Sequence, residues 1–254
     1  MSAVPSLTEF ENAAQSLAEV ITRTPTLPSR ALSDVLGAPV VLKMENLQRT
    51  GSFKIRGSAY RLSQLSAEER SRGVVAASAG NHAQGVALAA QTLGIQATIF
   101  VPLGIPVPKL LATRSYGAEV VLEGETVATS LRLAAEFAER TGAVIIHPFD
   151  HRDVVIGQGT LGLELLEDAP DVDTIVLGIG GGGLIAGVAA AVKAKAAELG
   201  RSVRIIGVQA ENAAAMIPSL EAGYPVDIET KPTIADGILA VSYTHLTLPT
   251  KRIV

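Results

Sequence analysis

Short apolar runs alternate along this chain with stretches in which apolar residues recur at helical spacing. Leu7, Phe10, Ala14, Leu17 and Ile21 lie near a 3.6-residue period and predict an amphipathic helix over 7–22. Pro25 and Pro28 end it, because proline disfavours helix at its own position and the one before. Val40–Lys43 predicts a short strand and 54–64 a helix. From Gly73 the alternation is regular. Strands are expected at Val74–Ala77, Ala97–Val101, Glu119–Leu122 and Ala143–Ile146. Between them fall helices at Asn81–Leu93, near Lys109–Tyr116, and ending near Arg140. Then come a helix over 153–167, a strand at Thr174–Leu177 and a glycine tract opening a helix to about Leu199. A buried strand at Arg204–Val208 and a helix at Ala213–Ala222 follow. Strands separated by helices imply βαβ units and a parallel sheet. The expected fold is α/β, with a small α/β domain over 70–142 inserted between 1–69 and 143–240 of a larger one. Residues 241–254 fit neither period.

Composition narrows the function. The 254 residues are 48% hydrophobic but only 4% aromatic, so Ala, Val, Leu and Ile must fill the interior, as in helix-covered parallel sheets. Net charge is −4 with both signs dispersed, which argues against a nucleic-acid partner. The absence of cysteine excludes disulfides and thiolate metal sites. Lys193 and Lys195 break the Ala/Val-rich run near 188 too early for a membrane span. A cytoplasmic protein without a membrane partner is expected.

Three stretches carry candidate chemistry. In Thr50-Gly51-Ser52-Phe53-Lys54-Ile55-Arg56-Gly57 a lysine sits between an aromatic and an aliphatic residue. Partial burial there would lower its pKa and free the amine for Schiff-base chemistry. The alternative is a helix-start lysine whose stem packs on Phe53. Gly180-Gly181-Gly182-Gly183-Leu184 joins a strand to a helix, so its amides can converge on an anion. It is neither a Walker loop nor a good dinucleotide fingerprint, and a purely structural turn is the alternative. Ser78-Ala79-Gly80-Asn81-His82-Ala83-Gln84-Gly85 also stands at a strand-to-helix junction, where a carboxylate could bind or Asn81 could simply cap the helix.

Together, and in this order, the three stretches resemble the pyridoxal-phosphate-dependent threonine/serine dehydratases, of PLP fold type II. Lys43-Met44-Glu45-Asn46-Leu47-Gln48, Gly157-Gln158-Gly159-Thr160 and Thr233-Ile234-Ala235-Asp236-Gly237 extend the resemblance over roughly 10–238. It implies that Lys54 carries pyridoxal 5'-phosphate as a Schiff base and removes the Cα proton. Gly180, Gly181, Gly182, Gly183 and Leu184 would receive the cofactor phosphate, Asn81 its phenolic oxygen, and Phe53 one face of its ring. Ser78, Gly80, Asn81 and His82 would seat the substrate. The implied activity is β-elimination from L-threonine or L-serine, in amino-acid metabolism that includes isoleucine biosynthesis. Full-length members are expected to be homo-oligomers. For Lys43, Glu45 and Arg56 a structural role is the stronger expectation.

Departures from related patterns sharpen this. Ile55-Arg56-Gly57 differs from the cysteine-synthase branch and favours elimination over β-replacement. Ala79 stands where racemases place a serine, and Gln209 and Ala215 stand where metal-activated relatives place carboxylates, so no metal is expected despite nearby Glu211. Residues 241–254 look like translated vector sequence, a short native tail being the alternative, and no residue matches the family's Ser or Thr at the pyridine nitrogen. An inactive, truncated ligand-binding fragment, a racemase or a β-replacement enzyme are the competing readings.

Overall fold

The computed structural model describes residues 4–78 and 80–239; Ala79 and the tail over 241–254 lie outside them. Helix α1 (Leu7–Leu17) starts with a capping box in which Ser6 accepts from the Glu9 amide and Glu9 from the Ser6 amide. It stops at Leu17, five residues before the expected end; the chain turns there through hydrogen bonds from the Val20 and Ile21 amides to Leu17. Strands β1 (Thr26–Pro28) and β2 (Val41–Lys43) form an antiparallel ribbon around α2 (Arg30–Leu36). Helix α3 (Lys54–Ser63) begins on the lysine itself, and α4 (Ala67–Arg72) follows.

A four-stranded parallel sheet comes next. It contains β3 (Val74–Ala77), β4 (Ala97–Val101), β5 (Glu119–Leu122) and β6 (Val144–Ile145), in the order β5-β4-β3-β6. Its crossovers are α5 (Asn81–Leu93), α6 (Val107–Ser115) and α7 (Val127–Thr141). Val74, Ala76 and Ile99 pack on α3 and α5, whereas Val75, Ala77 and Phe100 pack on Ala134 and Phe137 of α7. Both faces of β3 and β4 are therefore apolar, which is why they read as continuous runs.

Helix α8 (Arg152–Asp168) leads to β7 (Thr174–Gly178), α9 (Gly183–Glu198), β8 (Arg204–Val208) and α10 (Met216–Ala222). Strands β7 and β8 pair in parallel. The expectation that Arg204–Val208 is buried is corrected: only Ile205 is, because helices cover one face of this two-stranded sheet and Val176 and Val208 point away from them. Helix α10 begins at Met216, not Ala213, since Glu211–Ala213 forms a separate 3-10 turn.

Helices α3, α8 and α9 cross at glycines. A Cβ on Gly157 would come 2.5 Å from the Arg56 carbonyl oxygen and 2.7 Å from Gly57 Cα. A Cβ on Gly187 would collide with the Val155 carbonyl and approach the Gly159 amide to 2.7 Å. The Gly157-Gln158-Gly159 stretch is thus a packing device that brings backbones together.

Candidate active site

Lys54 heads α3, and its side chain runs into the protein instead of out to water. Its Nζ donates to the Pro148 carbonyl at 2.8 Å and lies 5.4 Å from the centre of the Phe53 ring. Burial brings the amine down from 10.5 to about 8, because the charged form has lost its water. Ser52 Oγ is also buried, with no hydrogen-bond partner.

Helix α5 packs directly on this turn. A Cβ on Gly85 would approach the Lys54 carbonyl carbon at 3.1 Å and the Ile55 amide at 3.2 Å. One turn earlier, Gly80 precedes Asn81, which is exposed at the first position of α5, and the Gly80 amide donates to Ser78 Oγ at 3.2 Å. Ser78 keeps its own proton available. His82 turns inward: its Nε2 meets the Ile146 carbonyl at 2.8 Å. A carbonyl only accepts, so Nε2 carries the proton and Nδ1 is bare. Burial and, next, the charge of Lys54 push this imidazole down to about 3, so it is neutral. A neutral ring with a bare Nδ1 offers an acceptor, not a charge, on that side.

The glycine tract joins the same cluster through the segment after β6. Phe149, next to the Pro148 that accepts from Lys54, occupies the space a side chain on Gly181 would need. A Cβ on Gly183 would lie 2.8 Å from the Phe149 carbonyl oxygen, and Gly182 has φ +90°. Packing and backbone conformation thus account for three of the four glycines. Gly180 is backed by Ile238, with a Cβ 3.4 Å from its Cα. Beyond them Gly183, Leu184 and Ile185 head a 16-residue helix, where amides have no intrahelical acceptor.

Sequence reasoning missed what anchors the lysine helix. Arg56, fully buried, donates from Nε and Nη2 to Glu45 at 2.9 Å each, and from Nη1 and Nη2 to Glu164 at 2.7 and 2.9 Å. Lys43 bonds Glu164 at 2.8 Å, Asp168 at 2.9 Å and the Thr24 carbonyl at 2.7 Å. These charges tie the β1–β2 ribbon, α3 and α8 into one unit, so Lys43, Glu45 and Arg56 are structural. Glu164 and Asp168, one helical turn apart on α8, were the only local hint. Gln209 accepts from the Met216 amide at 2.9 Å and Ala215 is buried. Among the described residues no group of three His, Cys, Asp or Glu could hold a metal ion, and no helix is long and apolar enough to cross a membrane.

Known proteins are similar to this chain in sequence and fold. The family described as "Pyridoxal-phosphate dependent enzyme" matches residues 17–250. An L-threonine ammonia-lyase of Thermotoga maritima is 52% identical over 92% of this chain and 57% of its own length. A Staphylococcus aureus protein named L-threonine dehydratase catabolic TdcB is 45% identical over 92% of the chain and 67% of its own. The chain thus spans between about half and two thirds of these relatives. Among solved structures, maize serine racemase superposes with a TM-score of 0.91 at 36% identity, covering 97% of this chain and 74% of its own. The processed form of threonine deaminase isoform 2 from Solanum lycopersicum gives 0.89 at 39%, covering 95% and 70%. With a family match across nearly the whole chain and identity above half to a characterised relative, this chain belongs to the pyridoxal-phosphate dependent enzymes of fold type II.

Proposed function

We propose that the chain catalyses β-elimination from L-threonine, and from L-serine, to 2-oxobutanoate or pyruvate and ammonia. The observation that carries this is the buried Lys54 amine, at about 8, where α3, the Gly80–Asn81 turn and the Pro148–Phe149 segment meet. The residues present fit the family's cofactor: the Lys54 amine can shed its proton near neutral pH, Ser52 Oγ is buried without a partner, and helix-heading amides follow the glycines. Pyridoxal 5'-phosphate, when bound, supplies the electron sink that lets a Cα–H bond break. Lys54 would hold it, with the amides of Gly180–Gly183 and Leu184 on the phosphate, Asn81 on the phenolic oxygen and Phe53 against the ring. Ser78 and the Gly80–Asn81 turn would orient the substrate carboxylate. Lys54 Nζ, unprotonated far more often at pH 7 than an ordinary lysine, accepts the Cα proton. The β-hydroxyl leaves as water, and water returns when the released unsaturated amino acid hydrolyses to keto acid and ammonia.

The division into a 70–142 domain within 1–69 and 143–240, self-association and a cytoplasmic setting belong to the same proposal. The separate four-stranded sheet supports a small domain of its own, although β6 carries that sheet past residue 142. The Staphylococcus relatives are named catabolic, which favours a degradative setting over isoleucine biosynthesis. Racemisation is the second reading, favoured by the maize neighbour and opposed by Ala79, which has no proton to exchange.

Cofactor-loaded protein and its Lys54→Ala variant should be assayed for keto acid from both substrates, with D-serine measured alongside. Keto acid from the wild type only, negligible D-serine, and borohydride-fixed cofactor on Lys54 are expected. Keto acid that survives Lys54→Ala, or label confined to another lysine, would sink the assignment.

A further inference from the structure

The segment that follows β6 is held by each of the three motifs. The Ile146 carbonyl accepts from His82 of α5, and the Pro148 carbonyl accepts from Lys54 of α3. The Phe149 ring fills the room that a side chain on Gly181 would need. Among these residues stands His147, half-buried. Its Nδ1 accepts from the Asp150 amide at 2.8 Å and from the Phe149 amide at 3.3 Å. Its ring meets the Phe149 ring edge-on, with centres 4.7 Å apart. A ring nitrogen that accepts from amides carries no proton, so Nε2 holds the imidazole proton.

The peptide unit between Pro148 and Phe149 couples that ring to the lysine. The unit is trans and planar, so its N–H and its C=O point in opposite directions. Holding the Phe149 N–H toward His147 Nδ1 therefore turns the Pro148 carbonyl the other way, where Lys54 Nζ meets it at 2.8 Å. The arrangement is like an Asx turn, in which a side-chain acceptor takes the amide two residues on and proline suits the position between. Rotation of the 148–149 unit would withdraw the acceptor from Lys54. We propose that His147 is a positioning residue, whose imidazole fixes that peptide unit and so holds the Lys54 amine where it captures the cofactor. This rests on Lys54 being the cofactor lysine, as given above, and not on which substrate is turned over.

Two variants test it. His147→Asn keeps a side-chain oxygen that can accept from the Phe149 amide, whereas His147→Leu keeps bulk without an acceptor. The full chain is mixed with pyridoxal 5'-phosphate and sampled into borohydride over time, and the label on Lys54 is read by peptide mapping. Capture by Lys54 should slow by roughly tenfold to a hundredfold in the leucine variant, the scale of a misplaced reacting group. The asparagine variant should recover most of that loss, which a merely space-filling role would not produce. Exposed Lys231 is the internal control, and its slow labelling should be the same in all three proteins. Capture as fast with leucine as in the wild type, or equal slowing in both variants, overturns the inference. Should His147→Leu not fold, the imidazole nitrogen shifts of the wild type decide: a bare Nδ1 and a protonated Nε2 are expected, and a proton on Nδ1 overturns it. If threonine gives no keto acid while Lys54 capture still separates the two variants, the dehydratase reading falls and this one stands.

Discussion

Two buried bases near the Gly80–Asn81 turn, Lys54 and His82, owe their chemistry to lost water. His82 ordinarily titrates at 6.5 and here at about 3. Between those values the unfolded chain binds a proton that the folded one refuses, so stability is full above about 6.5 and falls as pH drops toward 3. One such proton is worth about 1.4 kcal/mol per pH unit inside the window. His82→Gln can still donate to the Ile146 carbonyl but has nothing to titrate. Urea denaturation at pH 7, 6, 5 and 4 should show the variant losing stability less steeply than the wild type; parallel slopes would mean the imidazole is not shielded. Lys54 acts in the alkaline direction. Between about 8 and 10.5 the unfolded lysine holds a proton that the folded one has released, so its burial penalty fades as pH rises through that range. The same loss of water that opposes folding gives a base usable near neutrality. The sequence marked this lysine through its apolar neighbours, Phe53 and Ile55, but could not reveal Pro148, 94 residues away, as its hydrogen-bond acceptor.

Among the elements, those with a clean apolar pattern were legible in advance. Strands β3, β4 and β5 have the predicted limits, and α5 spans the predicted Asn81–Leu93, because continuous apolar runs and helical periodicity alternate cleanly there. Helix α2 was missed since it buries no side chain and leaves no apolar stripe; Ser29 and Gly37, its caps, were the available signs. Helix α4 was missed although Ser66 and Glu69 spell a capping box. Less legible still was the reason for glycine inside α8 and α9. Where these helices cross, the carbonyl of Val155 meets the Cα of Gly187, so a methyl group has no room. Gly187→Ala should cost about 1–3 kcal/mol, the scale of overpacking a core, although alanine is the better helix former. Gly94→Ala, at φ +66° with open space around it, loses by backbone strain alone and makes a useful comparison. Guanidinium midpoints for both variants would separate collision from strain, and an unshifted Gly187→Ala midpoint would show that the helices can move apart.

For the whole molecule, the charge cluster under α3 is the feature with the longest reach. Arg56 and Lys43 are almost without solvent, and both face Glu164. Removing one partner strands the rest without water, so Arg56→Ala should destabilise by about 3–5 kcal/mol. Arg56→Lys should recover little, because a single ammonium cannot replace a fork that serves two carboxylates. Thermal melting of the three proteins would check both statements; full recovery by lysine would show that charge alone suffices. Beyond the Glu164–Asp168 spacing, local sequence does not announce such a cluster, since its members come from 43–45, 56 and 164–168. The three motifs were each visible as a stretch, but their meeting around residues 146–149 depends on chain paths that periodicity does not encode.

That separation also sets an order of events at the ribosome. Arg56 and Glu164 are 108 residues apart. At typical elongation rates roughly 5–20 s pass between their synthesis. During that interval Lys43 and Arg56 have Glu45 as a nearby acid but neither Glu164 nor Asp168, and Lys54 has no Pro148 carbonyl until most of the interval has elapsed. The lysine block is therefore made early and seated late. A nascent chain halted before Pro148 would leave Lys54 without that carbonyl acceptor, and the seated amine comes into being only when the 146–149 segment reaches it.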